Sequence, residues 1–99
     1  MIIYNVTTIL EQEIHLEYLS YMQKIHMPAV MASGKFVSCN LLRLIEPENE
    51  GITYCAQYIT DDQEKLVDYR QNHSPKLQED FNQKFENKYV AFRSVLASI

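Results

Sequence analysis

Histidine followed two residues later by proline occurs twice, at His26-Met27-Pro28 and His73-Ser74-Pro75. An imidazole titrates near neutral pH, so either ring could serve as a general acid or base. Each also stands where a helical pattern has to kink or restart. Proline cannot donate the i to i−4 hydrogen bond, and it disfavours helical geometry in the residue before it. A cationic imidazole there favours the negative helix end and can donate to its last carbonyls. Capping is the default expectation for His26 and His73. Proton transfer, with His26 at the mouth of a pocket, is the alternative. A second group is Asn5, Arg43, Gln57 and Arg93, one from each of four strand patterns. Two arginines suit a carboxylate or phosphate. The competing expectation is that they pair with acidic residues across an interface between copies.

Other chemistry finds little support. No histidine has metal-ligand spacing such as H-E-x-x-H, and no C-x-x-C occurs, so no metal and no cofactor is expected. The acidic stretch from Glu46 to Glu50 is too short and irregular for a calcium loop. No Ser-His-Asp set or pair of catalytic carboxylates is recognisable. Glycine is confined to Gly34 and Gly51, which excludes a glycine-rich phosphate loop. Seven tyrosines is a high count; Tyr18, Tyr21, Tyr54 and Tyr58 fit core or interface positions with the hydroxyl reaching the rim.

The elements that hold these residues follow from periodicity. Ile2 to Leu10 is rich in β-branched residues and reads as a strand. Glu11 to about Ile25 reads as a helix, with Ile14, Tyr18, Tyr21, Met22 and Ile25 as its apolar stripe. Pro28 then opens a new turn, and Gly34 suits the left-handed position that ends it. Lys35 to Glu46 and Ile52 to Thr60 read as strands of a hairpin whose turn centres near Glu48-Asn49. Asp61 or Asp62 caps the next helix, with Asp61 and Glu64 resembling a capping box. That helix runs to about Asn72. Ser74 and Pro75 start another, striped by Leu77, Phe81 and Phe85. Tyr89 to Leu96 is the last strand.

This order predicts one domain over residues 1–99, a ferredoxin-like βαββαβ sandwich of the α+β class with kinked or split helices. The expected strand order is 4-1-3-2. One alternating set, including Tyr4, Val6, Phe36, Leu42, Leu44, Tyr54, Ala56, Tyr58, Val90, Phe92 and Leu96, is assigned to the helix side. The other, including Ile3, Asn5, Ile9, Cys39, Leu41, Arg43, Cys55, Gln57, Ile59, Ala91 and Arg93, is assigned to the second face. It is too apolar to meet water over a whole sheet. A second copy is therefore expected to cover it, giving a homodimeric α+β barrel.

Ninety-nine residues with a net charge of −4 argue against a nucleic-acid binder that works by broad phosphate neutralisation. The scattered Lys and Arg form no basic run for a membrane surface, and no segment is long enough to span one. Met1 to Tyr4 lacks a basic leader and reads as strand, not signal peptide. Cys39 and Cys55 make no disulfide framework and are expected to be free, buried thiols in a cytoplasmic protein.

The opening Met1-Ile2-Ile3-Tyr4-Asn5-Val6-Thr7, the segment His26 to Phe36, the run Leu41-Leu42-Arg43-Leu44, Tyr54-x-x-Gln57-Tyr58 and the closing Lys88-Tyr89-Val90-Ala91-Phe92-Arg93 together resemble an uncharacterised bacterial family known as a domain of unknown function. The resemblance spans nearly the whole chain. It implies a dimeric α+β barrel of ferredoxin-like protomers and brings no established activity. The wider superfamily that this fold resembles includes cofactor-free monooxygenases, haem-degrading and chlorite-decomposing enzymes, muconolactone isomerase-like proteins and amino-acid-sensing domains. No histidine here matches a haem-ligand signature, and a shared fold does not carry function. The expected function is a small non-catalytic homodimer that binds a small ligand, such as a carboxylate or phosphate, or a protein partner. The alternative is a cofactor-independent enzyme, monooxygenase- or isomerase-like, acting on a small aromatic or anionic molecule.

Overall fold

The computed structural model describes residues 1–48 and 50–99, so the expected turn centre at Asn49 lies outside the described residues. Strand β1 (Ile2–Leu10) is followed by a 3-10 turn (Gln12–Ile14), helix α1 (His15–Tyr21), a π turn (Met22–His26) and helix α2 (Met27–Ala32). Then come β2 (Ser38–Arg43), β3 (Ile52–Thr60), α3 (Gln63–Asn72), α4 (Ser74–Phe85) and β4 (Tyr89–Ala97). The strands form one antiparallel sheet in the order β2-β3-β1-β4. This is the expected ferredoxin-like arrangement read from the opposite edge.

The first helix does not break at His26. Pro28 has no N–H to give to the carbonyl of residue 24, and its ring would collide with that carbonyl in a regular α-turn. The chain widens into a π turn over Met22–His26 and resumes as α2 with Pro28 in its first turn. A wide turn adds one residue and shifts the helix face by about 100°. Ile25, expected on the buried stripe, is 56% exposed, while Met27 and Val30 are buried. His26 takes the place Ile25 would have held and is half-buried.

Of the two candidate caps of α3 it is Asp62 that serves, its Oδ1 accepting from the Glu64 amide at 2.8 Å, so the Asp61–Glu64 capping box is not the one formed. Asp61 instead pairs with Lys65. At the second His-x-Pro, His73 occupies the N-cap of α4 and Ser74 is already helical. The Ser74 hydroxyl accepts from Gln78 Nε2 at 2.9 Å.

Register corrects two of the four strand faces. Tyr4, Val6, Tyr54, Ala56 and Tyr58 lie on the helix side as expected. In β2 the partners are Cys39 with Tyr58, Leu41 with Ala56 and Arg43 with Tyr54. In β4 they are Tyr89 with Leu10, Ala91 with Thr8 and Arg93 with Val6. Antiparallel partners project to the same face, so Cys39, Leu41, Arg43, Ala91 and Arg93 belong to the helix side. Leu42, Val90, Phe92 and Leu96 face away. The reason in β2 is that Phe36 is buried ahead of the strand, and alternation does not run unbroken from Phe36 into Ser38–Arg43. In β4 the side is set by Tyr89, whose ring meets Phe81 of α4 edge-on at 4.8 Å. Cys39 and Cys55 are consequently on opposite faces, free and half-buried rather than buried.

Aromatic rings bind the helices to each other and to the sheet. Tyr21 meets Phe85 at 5.5 Å, Tyr18 stacks near Tyr54 at 5.4 Å, and Phe36 meets Tyr69 at 4.9 Å. Half-exposed ion pairs, Lys84 with Glu17 and Lys35 with Asp68, bridge the periphery and contribute at most about 1 kcal/mol each.

The two glycines separate turn strain from crowding. Both have positive φ, +75° at Gly34 and +82° at Gly51. A Cβ on Gly51 would lie 2.7 Å from the Leu10 carbonyl oxygen, whereas one on Gly34 meets nothing within 4 Å. Gly34→Ala is expected to cost about 1 kcal/mol from the left-handed backbone alone. Gly51→Ala should cost at least about twice that, because β1 must also give way. Urea denaturation of both variants measures the difference; equal losses would refute the crowding at Gly51.

Candidate functional site

The sheet carries its smallest side chains at its centre, on the side of the helices. Val6 is opposite Ala56, and Thr8 is opposite Ala91. Above them the helices present broad rings and long apolar chains, from Tyr18 and Met22 on the first helix and Leu77 and Phe81 on α4. The mismatch leaves a cavity of about 40 Å³ between sheet and helices. That is room for about three waters. Exposed Asn82 and Arg93 and half-buried Gln78 also line it and mark its open side.

Two tyrosines give the cavity its polarity. Tyr18 is 1% exposed and Tyr58 2%. Both line the cavity, and neither hydroxyl has a hydrogen-bond partner among the described residues. Thr8 lies beside Tyr18 without a bond of good geometry. Leaving a buried hydroxyl unpaired costs about 1–3 kcal/mol, so each position is primed to accept a polar atom. Burial pushes Tyr18 up to about 12 and drives Tyr58 further up, so both keep their protons at neutral pH and can donate. Tyr69 is likewise raised by burial to about 12.

His26 and Arg93 meet at this cavity. The wide turn brings in the imidazole, which packs against Phe81 at 5.7 Å and Tyr21 at 6.1 Å. Burial, then the Arg93 charge, lower its pKa to about 4, with Asp80 opposing. At neutral pH His26 is an uncharged ring, not the cationic cap expected at a helix end. Arg93 is the sole charged residue lining the cavity at that pH, and no ion pair or hydrogen bond engages it among the described residues.

The other predicted residues lie apart. His73 stacks on Tyr69 at 6.1 Å, and its Nε2 lies 3.7 Å from Asp68, which Lys35 also holds at 2.8 Å. Those contacts belong to the junction of α3 and α4. Arg43 shares the helix side but sits exposed at the end of β2, near Pro47 and Glu48. Asn5 and Gln57 are paired neighbours on the opposite, uncovered face. The four polar strand residues therefore do not converge, because β2 and β4 run in the other register. Sequence reasoning gave Tyr18 and Tyr58 core or interface positions with the hydroxyl reaching the rim; both hydroxyls are instead buried, at the cavity. The signal for it was the pair of alanines, Ala56 and Ala91, at positions where β3 and β4 otherwise carry large residues.

Among the described residues no group of three or more His, Cys, Asp or Glu side chains could hold a metal ion. No helix there is long and apolar enough to cross a membrane.

A four-stranded antiparallel sheet under one helical layer makes this a ferredoxin-like α+β protein. The chain belongs to the family described as Domain of unknown function (DUF4286), whose model matches residues 1–99. No curated protein matches it. Among solved structures it is similar to an ethyl tert-butyl ether d (EthD) family protein from Bacillus halodurans C-125, at 16% identity over 100% of both chains with a TM-score of 0.71. A protein from Agrobacterium tumefaciens shares 10% identity, with 98% of this chain and 93% of that one covered and a TM-score of 0.67. A DABB family protein with a ferredoxin-like fold from Mesorhizobium loti shares 13% identity over 99% of this chain and 100% of that one, with a TM-score of 0.52. At such identities the likeness shows the fold alone.

The lowered pKa of His26 makes stability depend on pH. An unfolded imidazole takes its proton near 6.5, and the folded one near 4. The unfolded state therefore binds more protons between these values, and stability falls as pH drops through that window. The loss approaches about 3 kcal/mol at pH 4 and is absent above pH 7. His26→Gln should remove this share of the acid sensitivity while leaving the carboxylate contribution in place. Thermal unfolding of both proteins from pH 7.5 to 4 checks it; parallel curves would show that His26 protonates as easily when folded.

Proposed function

We propose that this protein is a small-ligand-binding homodimer whose ligand occupies the cavity between the helices and the sheet. The observation that carries the reading is the pair of buried tyrosine hydroxyls, Tyr18 and Tyr58, that line this cavity with no partner among the described residues. A core that served packing alone would gain by carrying phenylalanine at both positions.

The homodimer rests on the other face. Leu42, Val90, Phe92 and Leu96 are each 46% exposed or more there, and Ile3, Ile9 and Ile59 lie between them. A polar row crosses its middle: Asn40, Gln57, Asn5 and Ser94 are successive partners across the four strands. Asn5 is 8% exposed, and its Nδ2 donates to Thr7 at 3.0 Å while its Oδ1 has no partner. Amide groups carry both donors and acceptors. A second copy turned about a two-fold axis would meet this row with the same row, which suits an isologous contact.

A second reading is a cofactor-independent enzyme. Its support is the neutral His26 imidazole beside Arg93 in a cavity open to solvent. The ring would accept a proton from a bound molecule that Arg93 holds by its anionic end. His26→Ala would then abolish turnover and keep ligand binding.

A thermal-shift screen with small polar molecules tests the main reading. A ligand at about 100 times its dissociation constant stabilises by about 2.7 kcal/mol, which raises Tm by roughly 10 °C or more in a domain of this size. Ala91→Leu, which fills the cavity, should abolish the shift. Sedimentation equilibrium at micromolar concentration should give a dimer, and Phe92→Asp a monomer of unchanged circular dichroism. A monomeric parent protein would remove the dimer.

A further inference from the structure

The cavity has two chemically different ends. Arg93 stands at its open side, with a charge that reaches His26, Tyr69 and Tyr89. Among the described residues no carboxylate lines the cavity, the nearest influence being Asp80, which acts on His26 from outside it and is held by Lys76. The strand pairs place Arg93, Val6 and Ala56 in one row across β4, β1 and β3. Strands lie about 4.8 Å apart, so the backbones of this row span roughly 10 Å from β4 at the edge to β3. On that side are the unpartnered hydroxyls, Tyr58 from β3 and Tyr18 from the helix above. Both keep their protons and need an acceptor. Between the ends the surface is apolar, with Met22, Leu77 and Phe81.

Resting on the reading of this cavity as a ligand site, we propose that it takes a short organic acid with one carboxylate, held by Arg93, and a second oxygen that accepts from Tyr18 and Tyr58. The charge balance favours this class over phosphate. One guanidinium matches a monoanion, and the neutral His26 adds no second positive charge to offset a dianion. The second oxygen answers the buried hydroxyls, which a plain fatty acid would leave unpaired at a cost of about 1–3 kcal/mol each. Size sets the chain length. Room for about three waters, with the rim open, suits a skeleton of about three to five carbons.

The test uses three probes that differ by one group: 4-oxopentanoate, pentanoate, which lacks the ketone, and 2-butanone, which lacks the carboxylate. Binding is read from amide chemical shifts of the full-length protein, which also report whether each variant is folded. The parent protein should bind 4-oxopentanoate at least about tenfold more tightly than either of the others. Arg93→Gln should erase its advantage over 2-butanone, and Tyr58→Phe its advantage over pentanoate. Equal binding of all three probes, or binding of none at 20 mM, would overturn the ligand class. The cavity itself is judged separately by Ala91→Leu, with the milder Ala91→Val as its check on folding. If the probes bind equally and the filled variants lose them, the site stands and the class is wrong. If the filled variants bind as the parent does, the cavity is not the site.

Discussion

The turn before Pro28 governs much of this structure. A proline ring cannot be accommodated against the carbonyl four residues earlier in a regular helix. The chain widens one turn and keeps going, so the helix stays continuous and changes face. From that single steric conflict follow the burial of Met27 and Val30, the expulsion of Ile25 to solvent, and the arrival of His26 at the cavity. It also explains the chemistry of His26. A ring turned inward loses water, and beside Arg93 it loses its proton as well.

The cavity has a comparable origin in the sheet. Four small side chains, Val6, Ala56, Thr8 and Ala91, are brought together by the pairing of β1 with both β3 and β4. The rings above them are held by other rings, Phe81 by Tyr89 and Tyr18 by Tyr54 and Phe85, and do not descend to fill the gap. Two hydroxyls are buried beside the gap with no hydrogen-bond partner of good geometry among the described residues. Stability alone would favour the apolar isosteres, so these hydroxyls point to use by a ligand. The same sheet carries a second unpaired polar atom, Asn5 Oδ1, on the face the helices leave bare. One molecule thus has two places where buried polarity waits for a partner. One is small and concave, and the other is broad and flat.

Much of the fold was legible in the sequence. Strand and helix order, the sheet topology, Gly34 at the left-handed position and the free thiols all follow from local pattern. Each depends on residues adjacent in the chain or on a rule of connection. The register was not legible. Val90, Phe92 and Leu96 look like core because they are bulky and apolar, and that phase puts Arg93 on the second face. Pairing with β1 exchanged the two sides, and the contact of Tyr89 with Phe81 explains why. The candidate site was legible in its residue types and not in its grouping. His26 and Arg93 were both singled out, but on different faces; Tyr18 and Tyr58 were read as core or interface rings with the hydroxyl at the rim.

What the sequence determined by itself is the α+β architecture and a proline-imposed irregularity beside His26, since both arise from backbone sterics and hydrophobic period. What the tertiary structure decided is which side chains share a space. A helix widened by one residue and two strands paired in the opposite phase each move every following side chain to another face. That shift is worth a few ångströms along the chain and the whole thickness of the sheet across it. It took His26 and Arg93 from opposite sides of the molecule and set them at one cavity.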